Sequence, residues 1–409
     1  MKISLRKQPY PYRAMLAICS DLDETPDAKS YFELSKFLNT DELTPLGAGV
    51  DLEVGNTIYF GMPNDQFSFF NCTDKDREDI VRLIESGHID CLHSFGDDIN
   101  NRLDIEAIWK QLPPKKIKVW IDHAQAPSNF DAEIMFGEGA SQDADCYHAD
   151  LAIENGIRFV WKGRVTSIIA QDSPISLAGI LTINHPLASM KTLLKEIAKI
   201  AMARLGSNKY AMHKQNKLTR VTNLDSGQEV VEFMRSNPSW GGVSHFETAD
   251  GISQVLTPAY LEHLCKKRGN SILYTHLGKS RSGSVLPPDA AQAFKILAEF
   301  SRQQRVLVTT TQRLLEFNQV RESLQWVVTQ DKSVVSIHLK TDKEASLLQG
   351  LSWHVPFETE KAQLITSDGK EIDLIIDTPD SKDVKYASIP WQVLAYPDLK
   401  SSRSSESNL

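Results

Sequence analysis

The 409-residue chain has few cysteines, no long hydrophobic run and no block of basic residues, and each absence excludes a class of protein. Its five cysteines are scattered and form no CxxC pair, which argues against a disulfide framework and a thiolate zinc site. No run approaches the roughly 18 apolar residues of a membrane-spanning helix. The net charge of −8 disfavours nucleic acid as a partner.

We also expect no targeting signal at the amino terminus. It is basic, but residues 8–11 (QPYP) stand where a signal peptide would have its apolar core. We therefore expect a cytoplasmic protein with no membrane span, and the sequence leaves its oligomeric state open.

The sequence does contain apolar strand-like runs that alternate with helical patterns between residues 12 and 317. Strands are predicted over 14–20, 56–60, 89–93, 117–121, 157–161, 271–275 and 305–309, and helices over 28–39, 74–86, 102–112, 144–154, 191–205, 228–236, 258–268 and 289–303. This order is typical of a parallel sheet and predicts a distorted α/β barrel. A doubly wound open sheet is the alternative, although no glycine-rich phosphate loop supports it.

The pattern changes near residue 321 to short strands separated by turns such as residues 367–370 (SDGK). Strands are predicted here over 324–329, 333–339, 348–353, 362–366, 372–376 and 391–395. We therefore predict a catalytic barrel over 1–320 and a β-sandwich-like accessory domain over 321–398, acting as a scaffold or binding carbohydrate. Residues 399–409, rich in serine and charge, are predicted to be a disordered tail.

Ionisable side chains follow four predicted strands at their carboxyl ends, where parallel α/β barrels carry their catalytic groups. They are Asp21 and Asp23 after the first strand, His93 and Asp97 at the third, Asp122 and His123 at the fourth, and His276 at a late strand. Mixed imidazole and carboxylate ligands suit zinc or another first-row divalent ion. Zinc is the first choice, with cobalt, nickel or manganese as alternatives.

Two of these segments resemble the first motifs of polysaccharide deacetylases: the strand exit with Asp21 and Asp23, and residues 87–97 (GHIDCLHSFGD). Members of that family remove N- or O-acetyl groups from sugars with a distorted α/β barrel and one divalent metal ion. The resemblance implies that Asp21 is the catalytic base and Asp23 a metal ligand, although their order can be exchanged.

The same resemblance assigns the remaining roles. His93 matches the first histidine of the second motif, and Asp97 replaces the second histidine, unless His123 is the third ligand. Tyr274-Thr275-His276 approximates the late Leu-x-His motif and makes His276 the acid or oxyanion partner. The Arg-Pro-Pro third motif is missing, and residues 120–129 stand in its place.

Other residues are candidates for substrate contact or alternative ligation. Asp122 and His123 belong to this group, as does His148, which either lines the pocket or caps a helix. Lys279 lies in a basic loop after His276 and could bind an anionic substrate group.

We therefore expect a metal-dependent hydrolase that deacetylates a small or oligomeric carbohydrate. One alternative is a glycoside hydrolase that pairs Asp21 or Asp23 with Asp122. The other is a non-catalytic carbohydrate-binding protein.

Overall fold

The computed structural model describes residues 3–21, 25–96, 101–122, 133–135, 137–177, 180, 186–238, 247–280, 283–340, 344–378 and 384–400. The α-helices within these residues are α1 (Ala28–Asn39), α2 (Asp74–Ser86), α3 (Arg102–Trp109), α4 (Ala149–Glu154), α5 (Pro186–Arg204), α6 (Pro258–Lys267), α7 (Pro288–Arg302) and α8 (Thr311–Ser323). No helix in this described part is both long and apolar enough to cross a bilayer.

The strands of the first three hundred residues are β1 (Ser4–Leu5), β2 (Ala14–Ser20), β3 (Leu43–Thr44), β4 (Gly47–Ala48), β5 (Asn56–Ile58), β6 (Ile89–Leu92), β7 (Val119–Ile121), β8 (Phe159–Trp161), β9 (Val165–Thr166), β10 (Thr219–Asn223), β11 (Glu229–Phe233), β12 (Arg235–Ser236) and β13 (Asn270–Thr275). Those that follow are β14 (Val306–Val308), β15 (Trp326–Asp331), β16 (Val334–Leu339), β17 (Ser352–Pro356), β18 (Lys361–Ile365), β19 (Glu371–Asp373), β20 (Ile375–Asp377) and β21 (Val384–Ser388).

The main sheet is built around β2, whose seven residues are all buried. Within the described residues it has eleven strands in the order β10-β11-β8-β7-β6-β5-β2-β13-β12-β9, with β14 also paired to β2. All of these pairings are parallel except that of the edge strand β10. The predicted mixed α/β architecture with a parallel sheet is therefore confirmed.

The sheet curls because β11 and β12 are the second strands from its two opposite ends. Only Met234 separates these strands, yet β11 pairs with β8 and β12 pairs with β13. Residues 229–236 therefore join the two ends of the strand order and give the sheet a barrel-like curvature. The prediction of a helix over 228–236 is wrong. Its β-branched residues Val230 and Val231 are buried in a strand, an environment that favours that side-chain shape.

Two further four-stranded sheets lie mostly in the last hundred residues. Their orders are β15-β16-β18-β19 and β1-β17-β21-β20, so the second takes its edge strand from the amino terminus. Buried residues from both sheets, including Ile337, Trp353 and Leu364, belong to one hydrophobic cluster. An all-β region is thus present, although β1 comes from outside the range 321–398.

The carboxyl-terminal segment packs back onto the barrel helices. The predicted strand over 391–395 is not formed. The Tyr396 hydroxyl donates to Ser35 Oγ at 3.1 Å, and the Lys400 amide donates to Asp79 Oδ1 at 2.9 Å. Leu399 is buried. The prediction of disorder is therefore wrong for Leu399, which is buried, and for Lys400, whose amide is hydrogen-bonded. Residues 401–409 lie outside the described part.

Candidate active site

The alternation of side chains along β2 decides which residues can enter the site. Leu16 and Ile18 belong to the cluster that packs against the helices, whereas Ala17 and Cys19 belong to the cluster inside the curled sheet. Because successive side chains of a strand point to opposite faces, the next inward residue is Asp21. Its amide still donates to the Thr275 carbonyl at 2.9 Å, so the strand geometry extends to this position.

The same alternation brings three more polar residues to the interior. Cys91, Phe233 and Tyr274 belong to the inner cluster, and two residues after each of them come His93, Arg235 and His276. Each of these residues lies at or near the carboxyl end of a parallel strand. They therefore meet Asp21 at one end of the sheet.

Asp21 is the centre of this group and is 1% exposed. Its Oδ1 accepts a hydrogen bond from Arg235 Nη1 at 2.6 Å. Its Oδ2 lies 3.4 Å from His93 Nε2 and 3.9 Å from His276 Nε2. One carboxylate oxygen is thus held by the arginine, and the other faces both imidazoles.

Arg235 is fully buried, which is costly for a guanidinium unless the surroundings compensate. Part of the compensation is the ion pair with Asp21. The rest comes from two aromatic faces, because the guanidinium carbon lies 3.5 Å from the Trp161 ring centroid and 4.2 Å from that of Tyr274. This packing fixes the guanidinium in the orientation that binds the carboxylate.

The charges around Asp21 determine its protonation. Burial alone raises the pKa of this carboxyl, but the positive charge of Arg235, and after it His93 and His276, outweigh burial and hold the pKa well below its ordinary value. Conversely, Asp21 raises the pKa of Arg235 against the effect of burial. Both shifts favour the ionised pair.

Aromatic residues orient both histidines. The Tyr59 ring stacks on the His93 ring with centroids 4.7 Å apart. The Tyr274 hydroxyl lies 3.4 Å from His276 Nε2, and the His276 amide donates to the Glu247 carbonyl at 2.6 Å. Both imidazoles are thus held with Nε2 directed at the same carboxylate oxygen.

A cavity of about 270 Å³ opens on the helix side of the same end of the sheet. It is bounded by the segment after β2, helix α1 and the loop after β13, and Thr25 and Lys279 are among its lining residues. The predicted candidate Lys279 is therefore at a pocket wall. Tyr31, Leu34 and Leu277, which also line the cavity, belong to the helix-side cluster, and none of Asp21, His93, Arg235 and His276 lines it.

The donor atoms present here are compatible with a divalent ion but do not complete its coordination. Two ligands about 2.1 Å from one tetrahedral ion are roughly 3.4 Å apart, which is the separation of Asp21 Oδ2 and His93 Nε2. Among the described residues no group of three histidine, cysteine or acidic side chains could hold a metal. The predicted ligands Asp23, Asp97 and His123 lie outside the described residues.

Asp122 does not belong to this group. Ile121 points to the inner face, so Trp120 and Asp122 on either side of it point to the outer face. The Trp120 indole nitrogen donates to Asp122 Oδ1 at 2.6 Å. Its Oδ2 accepts from the Met135 amide at 2.8 Å. The prediction that Asp122 contacts substrate is therefore wrong for this structure, and the glycoside hydrolase alternative loses its second carboxylate.

His148 is also on the helix side of the sheet. It is fully buried, and its ring packs against Phe95 and Trp120 with centroids 5.1 and 5.2 Å apart. It occupies the residue before α4 but forms no side-chain capping bond. Both predicted roles for His148, lining the pocket or capping, are wrong because this ring is core packing.

Arg235 is the residue that the sequence analysis missed. The arginine of the third motif was sought at 120–129, whereas the arginine beside the Asp21 carboxylate comes from β12, in Arg235-Ser236-Asn237-Pro238. The run 230–234, apolar except for Glu232 and followed by one arginine, was a usable signal, because it resembles a buried strand with an ionisable exit. The predicted helix concealed it.

Comparison with known proteins finds no family model, no curated protein and no solved structure that matches the chain.

Proposed function

We propose that the protein is a metal-dependent hydrolase of the polysaccharide deacetylase type, which removes an acetyl group from a carbohydrate. The observation that carries this proposal is the convergence of Asp21, His93, His276 and Arg235 at the carboxyl end of a curled parallel sheet. The first three were selected from sequence motifs that together span more than 250 residues, and both histidines face one carboxylate oxygen of Asp21.

Each residue has a role that its contacts support. His93, together with Asp23 and either Asp97 or His123, would hold the ion, which when bound polarises the acyl carbonyl and lowers the pKa of a water to about 7. Asp21 accepts the proton, and Arg235 keeps its carboxylate ionised and oriented. His276, oriented by Tyr274, donates a hydrogen bond or a proton to the developing oxyanion or the leaving group.

The lowered pKa of Asp21 favours a metal-assisted reaction over unassisted base catalysis. A carboxylate whose pKa lies far below the working pH is a weak proton acceptor. Such a carboxylate accepts a proton readily only from a group whose own pKa has been lowered. Binding of a water to a Lewis acid lowers its pKa in this way. His93 would supply one ligand to such an ion.

The test combines metal analysis with acetate release from N-acetylated mono- and oligosaccharides. We expect bound zinc or another first-row ion, chelator-sensitive acetate release, and a loss of about 10³-fold in Asp21→Asn, since a general base contributes typically 10²–10⁴-fold. Asp90→Asn is the matched control, because Asp90 is equally buried but lies at the other end of its strand. The proposal fails if the protein binds no divalent ion under any loading condition.

A further inference from the structure

A second cavity, of about 710 Å³, lies at the opposite end of the sheet and is lined by basic residues. Arg6 and Lys7 come from the segment after β1, Arg13 directly precedes β2, Arg268 follows α6, and Arg305 precedes β14. We propose that this pocket binds a small compound that carries several phosphate groups. It is separate from the candidate active site, which lies beyond the other end of β2.

The cavity has positive charge without matching negative charge. Its lining includes these five cations and His354 but no aspartate or glutamate. Arg305 is paired with Glu262. Among the described residues, Arg6, Arg13 and Arg268 form no ion pair with a carboxylate. Clustered like charges repel each other, so an anion in the cavity would relieve an unfavourable arrangement.

Arg6 shows that the pocket is built for an anion. Its Nη2 donates to the Tyr12 carbonyl at 3.0 Å, whereas its Nη1 is buried without a hydrogen-bond partner in the described part of the chain. The guanidinium carbon lies 5.1 Å from the Tyr10 ring centroid and 4.6 Å from that of Tyr386. A buried donor with no acceptor costs free energy, and a movement of the Arg6 side chain toward the cavity would let a phosphate oxygen accept from it.

Ordinary helix capping accounts for only part of this cluster. Arg268 and Arg305 follow the carboxyl ends of α6 and α7, where a cation is favourable in any helix. Arg6 and Arg13 have no such relation to a helix. The Arg13 amide donates to the Arg305 carbonyl at 3.0 Å, so the sheet itself holds two arginines side by side.

The size of the pocket and the charge of the whole protein select the kind of anion. A volume of about 710 Å³ is within the usual range for small molecules. A nucleic acid would contact a wide area of the protein surface. The net charge of −8 disfavours such an extended polyanion because like charges repel. Several arginine forks favour adjacent phosphates over a single carboxylate.

Isothermal titration calorimetry of the full-length protein with sodium tripolyphosphate, at low salt and with EDTA present, tests the proposal. We expect saturable binding to the wild type and weakening of about tenfold or more in the double variant Arg13→Glu, Arg268→Glu, since each lost charge-assisted contact is worth about a factor of ten. Both side chains are solvent-exposed, so the fold should tolerate the changes.

The matched control is Arg204→Glu with Lys332→Glu, which changes the charge equally at exposed positions outside the pocket. Adenosine triphosphate is a second probe. Equal affinity for both probes supports recognition of phosphate alone, and tighter binding of the nucleotide supports an added contact of the base with Tyr10 or Tyr386. The proposal is overturned if the wild type does not bind tripolyphosphate, or if pocket and control variants bind it equally.

Discussion

Two buried aspartates on strands of the same sheet have opposite acid–base behaviour. Asp21, at the carboxyl end of β2, is 1% exposed and its pKa is held well below the ordinary value. Asp90, near the amino end of β6, is 2% exposed, and burial raises its pKa to about 7 although the Gln312 amide donates to it at 2.7 Å. The burial is nearly the same, so the neighbours decide the difference.

The contrast separates a carboxylate held by backbone donors from one held by charged side chains. Asp90 meets the amino-terminal end of α8, whose backbone donors stabilise a negative charge only partly. Asp21 meets a full positive charge on Arg235 and two imidazoles. A buried ion pair is weak evidence for a role in stability, because a well-packed apolar pair is often at least as stable. The pair of Asp21 and Arg235 is therefore consistent with the proposed role of Asp21.

The largest effect should come from breaking the buried pair. Arg235→Gln leaves Asp21 without its main counter-charge, so we expect a loss of about 3–5 kcal/mol in the free energy of unfolding. The pKa of Asp21 should rise, and the acidic limb of any pH–activity profile should move to higher pH. Urea denaturation at pH 7 measures the first effect, and the pH profile measures the second.

The double variant Asp21→Asn, Arg235→Gln should lose less than the sum of the two single losses, because the second change removes the charge that the first left unpaired. Arg102→Gln is the control, since its pair with Asp150 is about one-third exposed and should be worth below about 1 kcal/mol. Equal losses for Arg235→Gln and Arg102→Gln would show that Asp21 does not depend on the buried guanidinium.

An intermediate effect is expected at Asp90 and depends on pH. Its pKa of about 7 in the folded state exceeds the value of about 3.9 for an unfolded chain. The folded state therefore keeps a proton that the unfolded state has lost, and stability falls as the pH rises from about 4 to about 7. The limiting slope is about 1.4 kcal/mol per pH unit.

Asp90→Asn should remove this slope, because the amide stays neutral while its oxygen can still accept from Gln312. The measurement is the free energy of unfolding of the variant and of the wild type at pH 5, 6, 7 and 8. The variant should become more stable relative to the wild type as the pH rises. Asp150→Asn is the control, since the bond to Arg102 lowers the pKa of Asp150 and no such gain is expected. A difference that is constant with pH would refute the raised pKa.

The smallest effect concerns the cap of α8. Thr310 Oγ1 accepts from the Arg313 amide, and the same hydroxyl is bonded to Asp90. Thr310→Ala should cost about 1 kcal/mol and, by raising the pKa of Asp90 further, extend the pH dependence due to Asp90 to higher pH. Thr73→Ala, at the capping box of α2, should cost a similar amount without changing that dependence. Thermal or urea denaturation at two pH values compares them, and identical pH slopes would contradict the link between Thr310 and Asp90.

Much of the fold was accessible from local patterns. The sequence predicts strand β2 from its apolar run, and helix α2 from its capping residues and from the glycine that ends it. Each of these signals lies within a few residues of the chain. The segment 228–236 was mispredicted because valines, phenylalanine and charged residues in nine positions fit either a helix or a strand. Pairing with β8 and β13 decides that question, and those partners lie more than 30 residues away on either side.

The candidate site was predicted in part for the same reason. Asp21, His93 and His276 each end a recognisable apolar run, so the sequence could place them at strand ends. It could not tell which face of a strand a terminal residue occupies, and Asp122 was selected although it is one position out of phase with the interior. Arg235 was missed because its strand was not recognised.

The sequence by itself determined the alternation of strands and helices and the ionisable residues at strand exits, because periodicity and chain reversal are local properties. The tertiary structure alone decided that residues 229–236 join the two ends of the sheet, and hence that Arg235 neutralises Asp21. A contact between residues 214 positions apart depends on the curvature of the whole sheet, which no short segment encodes.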